Sequence, residues 1–337
     1  MKHYEKLLEK VCRQVFAFIC MVGVFMFVYA GSVCAAAPDS TDDAKLPEVK
    51  ISSITIVSKQ SMKITWKKNK KADGYFIYRK NEEGEWKKIG KCKGGQKTSY
   101  TDKGLIYKGT YTYSVVPYQI KQGQKIYNIP TEKGSSKKLA FHSKYKNGLK
   151  LYYDADGKLI KDVEGIIGKQ NSYVLKVNTL RCVVTAYAKD GKKGYTIPVK
   201  SFLCAPSAYT KSGTFYTGEA HRYRTLFYNS YSQWSVQIHG NILFHTSPYT
   251  KSMNRKSLDV KEYNKMGTCA SHGCVRMQCV GVKWIYEHCK RGTKVVIYKS
   301  ENAGPFGKPK LEKIPSWHTW DPTDPASRKL CAKKGCH

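Results

Sequence analysis

A chain of 337 residues is long enough for two or three domains with real cores, so its twelve cysteines are not required as a disulfide scaffold. Fifty-nine basic against 25 acidic side chains leave a formal charge of +34, which predicts attraction to a polyanion. No DNA or RNA recognition motif accompanies that charge, so nucleic acid is set aside; an anionic cell-wall polymer or a lysine-rich solvated surface accounts for it.

In chain order, residues 1–37 begin with Lys2, Lys6, Lys10 and Arg13, continue through the apolar run from Val15 to Ala30, and end in the small residues of "GSVCAAAP". That order is the one expected of a signal peptide, with cleavage near Ala35 to Ala37. An uncleaved membrane anchor is the alternative, if Gly31 to Ala37 extends the apolar run. Val33 before Cys34 argues against a lipoprotein. Export to the cell wall or the exterior follows, and residues 38–46 read as a polar linker.

From 47 to 141 short alternating runs such as "SMKITWKK", "GYFIYRK" and "GTYTYSVVPY" are separated by turn residues, the pattern of an antiparallel sandwich. Trp66, Tyr75, Tyr78, the Tyr100 to Asp102 segment, Tyr111 and Tyr113 resemble the core of a fibronectin type III domain. No catalytic grouping lies there, so a spacer or adhesive role is expected. Residues 142–170, with "LYYDADGKLIKDV", read as a connecting hairpin, because a single wall-binding-type repeat has no neighbour on which to stack. Residues 171–300 are again rich in strand patterns, including Val236 to Ile238 and Ile242 to Phe244. A short helix, with Cys279, Val282, Ile285 and Tyr286 inward, ends at Gly292 before the strand Lys294 to Tyr298. The fold expected is therefore mainly β: a sandwich followed by a second β-rich domain with one short helix after the motif "SHGCVRM". Residues 301–337 form a proline-rich, aromatic extension that either lies against that domain or projects from it.

The motif at 271–277 is expected to lead into the helix N-terminus, where free N–H groups would lower the pKa of the Cys274 thiol. The Gly273 and Cys274 amides could then donate to an oxyanion, with glycine allowing close substrate approach. A cysteine nucleophile needs a base brought close by the fold. Candidates are His245 at the end of a strand pattern, His239 at an expected turn, and His272, too local to Cys274 to be a typical base.

"FHTSPY" followed by "SHGCVRM" is similar to the paired signature of L,D-transpeptidase catalytic domains of the YkuD type, and the resemblance extends over about 172–299. "TKSGTF", from Thr210 to Phe215, looks like an earlier segment of that family, with Lys211 where proline is usual. The resemblance implies Cys274 as nucleophile, His245 as base with the Thr246 region orienting it, and Gly273 in the oxyanion hole. It also implies that Ser271 and His272 shape the pocket, and that Arg276 binds a substrate carboxylate or fixes the loop; His239 is the alternative base. The inserted stretch from Lys251 to Thr268 is expected to be a lid or a substrate-facing loop. The implied reaction is thioester formation with a peptidoglycan stem tetrapeptide, release of D-Ala and formation of 3→3 cross-links, without metal or organic cofactor. Carbapenem-type β-lactams are the implied inhibitors. Hydrolysis or D-amino-acid exchange at the same site, or a non-catalytic wall adhesin, are the alternatives. A metal cluster of Cys269, His272, Cys274, Cys279, His288 and Cys289, and disulfides pairing Cys269 with Cys274, Cys182 with Cys204 or Cys331 with Cys336, are competing readings of the cysteines.

Overall fold

A computed structural model describes residues 46–337, apart from 81–82, 131–133, 335 and 337. The expected export segment and all but the last residue of the linker lie outside the described residues. Among the described residues no helix is long and apolar enough to cross a membrane.

The first eight strands are β1 (Ile51–Ser58), β2 (Ser61–Trp66), β3 (Gly74–Lys80), β4 (Trp86–Lys93), β5 (Ser99–Lys103), β6 (Thr110–Lys121), β7 (Gln124–Tyr127) and β8 (Ser135–Lys138). They form two antiparallel sheets, β1-β2-β5 and β4-β3-β6-β7, with β8 on the other half of the β6 edge that β7 shares. This is the two-sheet sandwich of a fibronectin type III-like domain, three strands against five, with β7 and β8 sharing one edge of β6. The alternation of β2 explains its placement, since Met62, Ile64 and Trp66 are buried while Lys63 is exposed. Trp66 meets Tyr75 edge-on at 5.3 Å across the core. At the entry to β6 the Tyr111 hydroxyl accepts from the Ile106 N–H at 2.7 Å, the back-bond of a tyrosine corner.

The next two strands, β9 (Phe141–Lys146) and β10 (Leu149–Asp154), form a hairpin. Its turn residues Asn147 and Gly148 have φ of 50° and 73°, as a type I′ turn requires. A short helix, Glu164–Ile167, follows. Its Glu164 carboxylate accepts from Lys200 at 2.5 Å and Trp284 Nε1 at 3.1 Å and lies 2.9 Å from His288 Nε2, tying the connecting segment to the domain beyond.

That domain contains β11 (Tyr173–Asn178), β12 (Val183–Ala188), β13 (Ile197–Ala205), β14 (Gly213–Tyr216), β15 (Ala220–His221), β16 (Arg224–Leu226), β17 (Ser230–Ser232), β18 (Ser235–His239), β19 (Ile242–Thr246), β20 (Val275–Met277) and β21 (Lys294–Tyr298). Nine of these make one sheet in the order β14-β21-β11-β12-β13-β20-β19-β18-β15, while β16 and β17 form a separate hairpin. Every residue of β12 is buried, which accounts for a sequence that is apolar apart from Thr185, whose hydroxyl is bonded to Ser201 at 2.8 Å, in a strand covered on both faces. The helix Cys279–His288 packs Val282, Trp284 and Ile285 into the core, whereas Tyr286 is only half-buried.

Candidate active site

The helix does not start at the motif. Residues Val275–Met277 form β20, and Gln278 is the N-cap, so Cys274 stands five residues before the first helical residue. A helix-end field fades within about a turn. The first helical amides are moreover occupied from elsewhere: Cys279 N–H donates to Asp321 Oδ2 at 2.7 Å and Val280 N–H to Thr323 Oγ1 at 3.1 Å. The expected lowering of the thiol pKa by the helix is therefore corrected. Burial instead raises the Cys274 thiol, with the Leu243 N–H, Arg276 and Arg224 acting in the opposite direction.

Parallel pairing of β19 with β20 places His245 opposite Arg276 and Phe244 opposite Val275. His245 and Cys274 thereby line one cavity of about 490 Å³, together with Leu226, Tyr228, Asn241, Glu262 and Ser271 among others. The His245 Nδ1–H donates to the Thr246 carbonyl at 2.7 Å, which fixes the tautomer and leaves Nε2 unprotonated. Burial pushes the imidazole pKa down to about 4; the Thr246 carbonyl opposes that shift and the Arg276 charge adds to it. At neutral pH the cavity wall thus holds a neutral imidazole and a protonated thiol, whose Sγ donates to the Asn241 carbonyl at 3.6 Å. His239 is elsewhere: its ring stacks on Phe215 at 4.2 Å, and it is not part of the cavity wall. His272 is exposed, faces Tyr228 at 5.6 Å between ring centroids, and lies on the cavity rim.

Gly273 has φ of +142°, and a Cβ there would come within 3.1 Å of Ile242, so the loop needs glycine at this position. Its carbonyl accepts from the Thr210 hydroxyl at 2.8 Å, and Thr210 is itself buried and accepts from the Ser207 N–H at 2.9 Å. Because the peptide is trans, a carbonyl held this way turns the Cys274 N–H in the opposite direction. Ser271 donates its hydroxyl to the Cys274 carbonyl and receives the Gly273 N–H at a long 3.4 Å. "TKSGTF" signalled Thr210 in the sequence, but nothing local signalled that it grips the motif from 63 positions away.

Arg276 is buried and ion-paired with Glu262, so one of its two expected roles, fixing the loop, has a visible partner; its Nε has no hydrogen bond. Glu262 belongs to the short helix Val260–Tyr263 inside the inserted stretch, whose N-cap Asp259 accepts from the Glu262 N–H at 3.1 Å. The insert is consequently a folded wall of the cavity. The C-terminal extension lies along it: Asn264 and Ile314 exchange bonds of 2.8 and 3.0 Å, and Leu258 N–H donates to the Thr319 carbonyl at 3.0 Å. No sequence pattern announced Glu262, Asp259 or Asp321 as partners of this site, because each acts through distant chain.

Among the described residues all nine cysteines are free. Cys269 is directed not at Cys274 but at Cys182, and both thiols donate to the Thr179 carbonyl, at 3.8 and 3.7 Å. Burial and this neighbour push the Cys182 thiol up to about 11. Cys279 and Cys289 are core residues, and His288 is engaged by Glu164, so the six-residue metal cluster of the sequence reading does not assemble among the described residues.

Residues 172–297 match the family model of the YkuD L,D-transpeptidase catalytic domain. This segment is similar to an L,D-transpeptidase catalytic domain. YciB of Bacillus subtilis (strain 168), whose name places it among the L,D-transpeptidases, is 39% identical over 119 residues, which cover 33% of this chain and 59% of that relative. The chain therefore spans about three-fifths of the relative it matches. Among solved structures, an L,D-transpeptidase from Mycobacterium smegmatis aligns over 74% of this chain and 99% of its own at 10% identity and a TM-score of 0.30. A fibronectin type III domain of the human collagen alpha-1(XX) chain aligns over 34% and 99%, at 13% identity and a TM-score of 0.22. The sandwich and the nine-stranded sheet rest on their own strand orders.

Proposed function

We propose that this protein is a peptidoglycan L,D-transpeptidase, exported to the cell wall, in which Cys274 is the nucleophile and His245 the base. The observation that carries the reading is that adjacent parallel strands put a thiol and a tautomer-fixed neutral imidazole on the wall of one cavity, within a domain similar to that family. The acyl donor is a stem tetrapeptide whose third-residue carbonyl carbon accepts the sulfur. As the C–S bond forms, the thiol proton passes to His245 Nε2 and the carbonyl electron pair moves onto oxygen, where the Cys274 N–H, with Gly273, stabilises it. A depressed imidazole pKa and a raised thiol make a standing thiolate unfavourable in the empty site, so proton transfer accompanies attack. Collapse breaks the C–N bond; His245 returns the proton to the departing D-Ala amine and a thioester remains. A neutral amine on the third residue of a neighbouring stem then attacks, His245 takes its excess proton, and the thiol is regenerated as the 3→3 link forms.

Ser271, His272, Thr246 and Arg276 shape the pocket, Arg276 through Glu262. Carbapenems acylate the same sulfur, and the basic surface holds the enzyme to anionic wall polymers. Wild type and Cys274→Ala are incubated with purified muropeptide tetrapeptides and the products weighed by mass spectrometry. D-Ala release and dimer formation by wild type alone are expected; unchanged release by the variant would sink the assignment.

A further inference from the structure

The C-terminal extension carries a cluster of donors that the transpeptidase reading does not use. His318, Cys331 and Cys336 place one nitrogen and two sulfurs within 4.8 Å of one another, and none of the three lines the catalytic cavity. His318 is fully buried, and its Nε2 is 3.7 Å from Cys331 Sγ. Zinc bonds of about 2.3 Å to sulfur and about 2.0 Å to nitrogen, at tetrahedral angles, put such donors roughly 3.6 to 3.8 Å apart. The surroundings are arranged as metal sites require. The His318 Nδ1–H donates to the Trp320 carbonyl at 3.0 Å, which fixes the tautomer with the Nε2 lone pair toward the sulfur. Trp320 Nε1–H in turn donates to Cys331 Sγ at 3.0 Å, a contact that stabilises a thiolate. Cys336 is brought back over the helix Arg328–Lys334 by its own N–H, which donates to the Cys331 carbonyl at 3.2 Å.

We propose that His318, Cys331 and Cys336 bind a zinc ion that staples the C-terminal extension to itself, holding the helix Arg328–Lys334 against the segment around His318. Two thiolates and an imidazole are soft and borderline donors that select zinc over magnesium or calcium, and the fourth tetrahedral corner is open to water or a further donor. Binding replaces the two thiol protons, so each zinc taken up releases two protons to solvent and no electrons are exchanged. The ion locks the segment whose Asp321 and Thr323 accept from the first amides of the helix after β20, and whose Thr319 and Ile314 hold the insert that supplies Glu262. Its role is structural support for the cavity wall.

The test uses the full chain, purified with reductant, supplied with zinc chloride and then desalted. Elemental analysis is expected to find about one zinc per chain in wild type and in Cys274→Ala, and none in the Cys331→Ser/Cys336→Ser double variant. Chelation is expected to lower the Tm of wild type and leave that of the double variant unmoved. Cobalt chloride in place of zinc is expected to give sulfur-to-cobalt charge-transfer absorption, reduced in Cys336→Ser, whose half-buried position keeps the fold should the double variant fail to fold. Reduced wild type that takes up no zinc overturns the proposal, as does a cobalt spectrum without sulfur bands or zinc retained by the folded double variant. A Cys331 to Cys336 disulfide that persists in place of metal uptake overturns it equally.

Discussion

Two clusters of buried polar groups, one in each main domain, are treated differently by the fold. In the sandwich Asp102 is buried but receives the Tyr113 hydroxyl at 2.8 Å and the Arg79 guanidinium at 2.8 Å, so the desolvated carboxylate has both a neutral and a charged donor. In the second β-rich domain His245 is equally buried, yet its side-chain hydrogen bond goes to a backbone carbonyl, and nearby Arg276 further disfavours its charging. Arg276 has Glu262, but its Nε remains without a hydrogen bond. The first cluster is saturated and fixed; the second retains unspent bonding capacity beside a cavity, where a reacting group can use it.

The largest effect separating the two is on turnover. Replacing Cys274 by alanine removes the acyl carrier and is expected to abolish D-Ala release, while His245→Ala is expected to reduce kcat by about 10²- to 10⁴-fold, the usual worth of a positioned base. Tyr113→Phe is expected to leave kcat unchanged in the same assay. A His245→Ala enzyme with wild-type kcat would remove the catalytic side of the contrast.

The pH response is next in size. His245 has its folded pKa lowered to about 4 from 6.5, so the folded state binds fewer protons than the unfolded one between those values. Its neutral burial is fully favourable above pH 6.5, and stability is lost as the pH falls through that window to about 4. The integrated effect is on the order of 3 kcal/mol. Urea unfolding across the window is expected to show this slope in wild type and to lose it in His245→Gln. The acidic limb of kcat/KM is expected near 4, and a limb at 6.5 would mean a solvated imidazole.

A smaller change follows from Thr210→Val, which removes the bond to the Gly273 carbonyl while conserving volume. Release of that peptide is expected to lower kcat by up to about a hundredfold with KM little altered, since a small misplacement of an oxyanion donor is costly. An unchanged kcat would show that the φ of Gly273 alone sets the loop.

The period-two alternation of Met62, Ile64 and Trp66 and the tyrosines of β6 made the sandwich legible, because each strand records locally which face it buries. The thiol and imidazole were legible through their motifs. What local pattern misreported was the segment after Cys274, where "VRM" reads as the approach to a helix but pairs with β19 and β13 as a strand. Tertiary pairing decides so short a run. Thr210, Glu262 and Asp321 were not legible as partners of the site, since each reaches it across at least 14 positions and their bonds exist only once the sheet has closed.

The smallest expected effect tests the other side of the contrast. Tyr113→Phe deletes one donor to Asp102 and leaves the ring in the core, where the hydroxyl pKa is raised by burial and by that carboxylate. Arg79 remains as the partner of Asp102, so the loss is that of one hydrogen bond at a buried acceptor, about 1 to 3 kcal/mol in urea unfolding. Asp102→Asn in the Tyr113→Phe background then reports how far Arg79 alone sustains the carboxylate. If the sandwich cluster is held by mutual saturation, the two substitutions are non-additive by at least about 0.5 kcal/mol, as for contacting residues in one network. Strict additivity would mean that Asp102 is stabilised by Arg79 and solvent alone, and the two domains would then differ less in their handling of buried charge than their geometry implies.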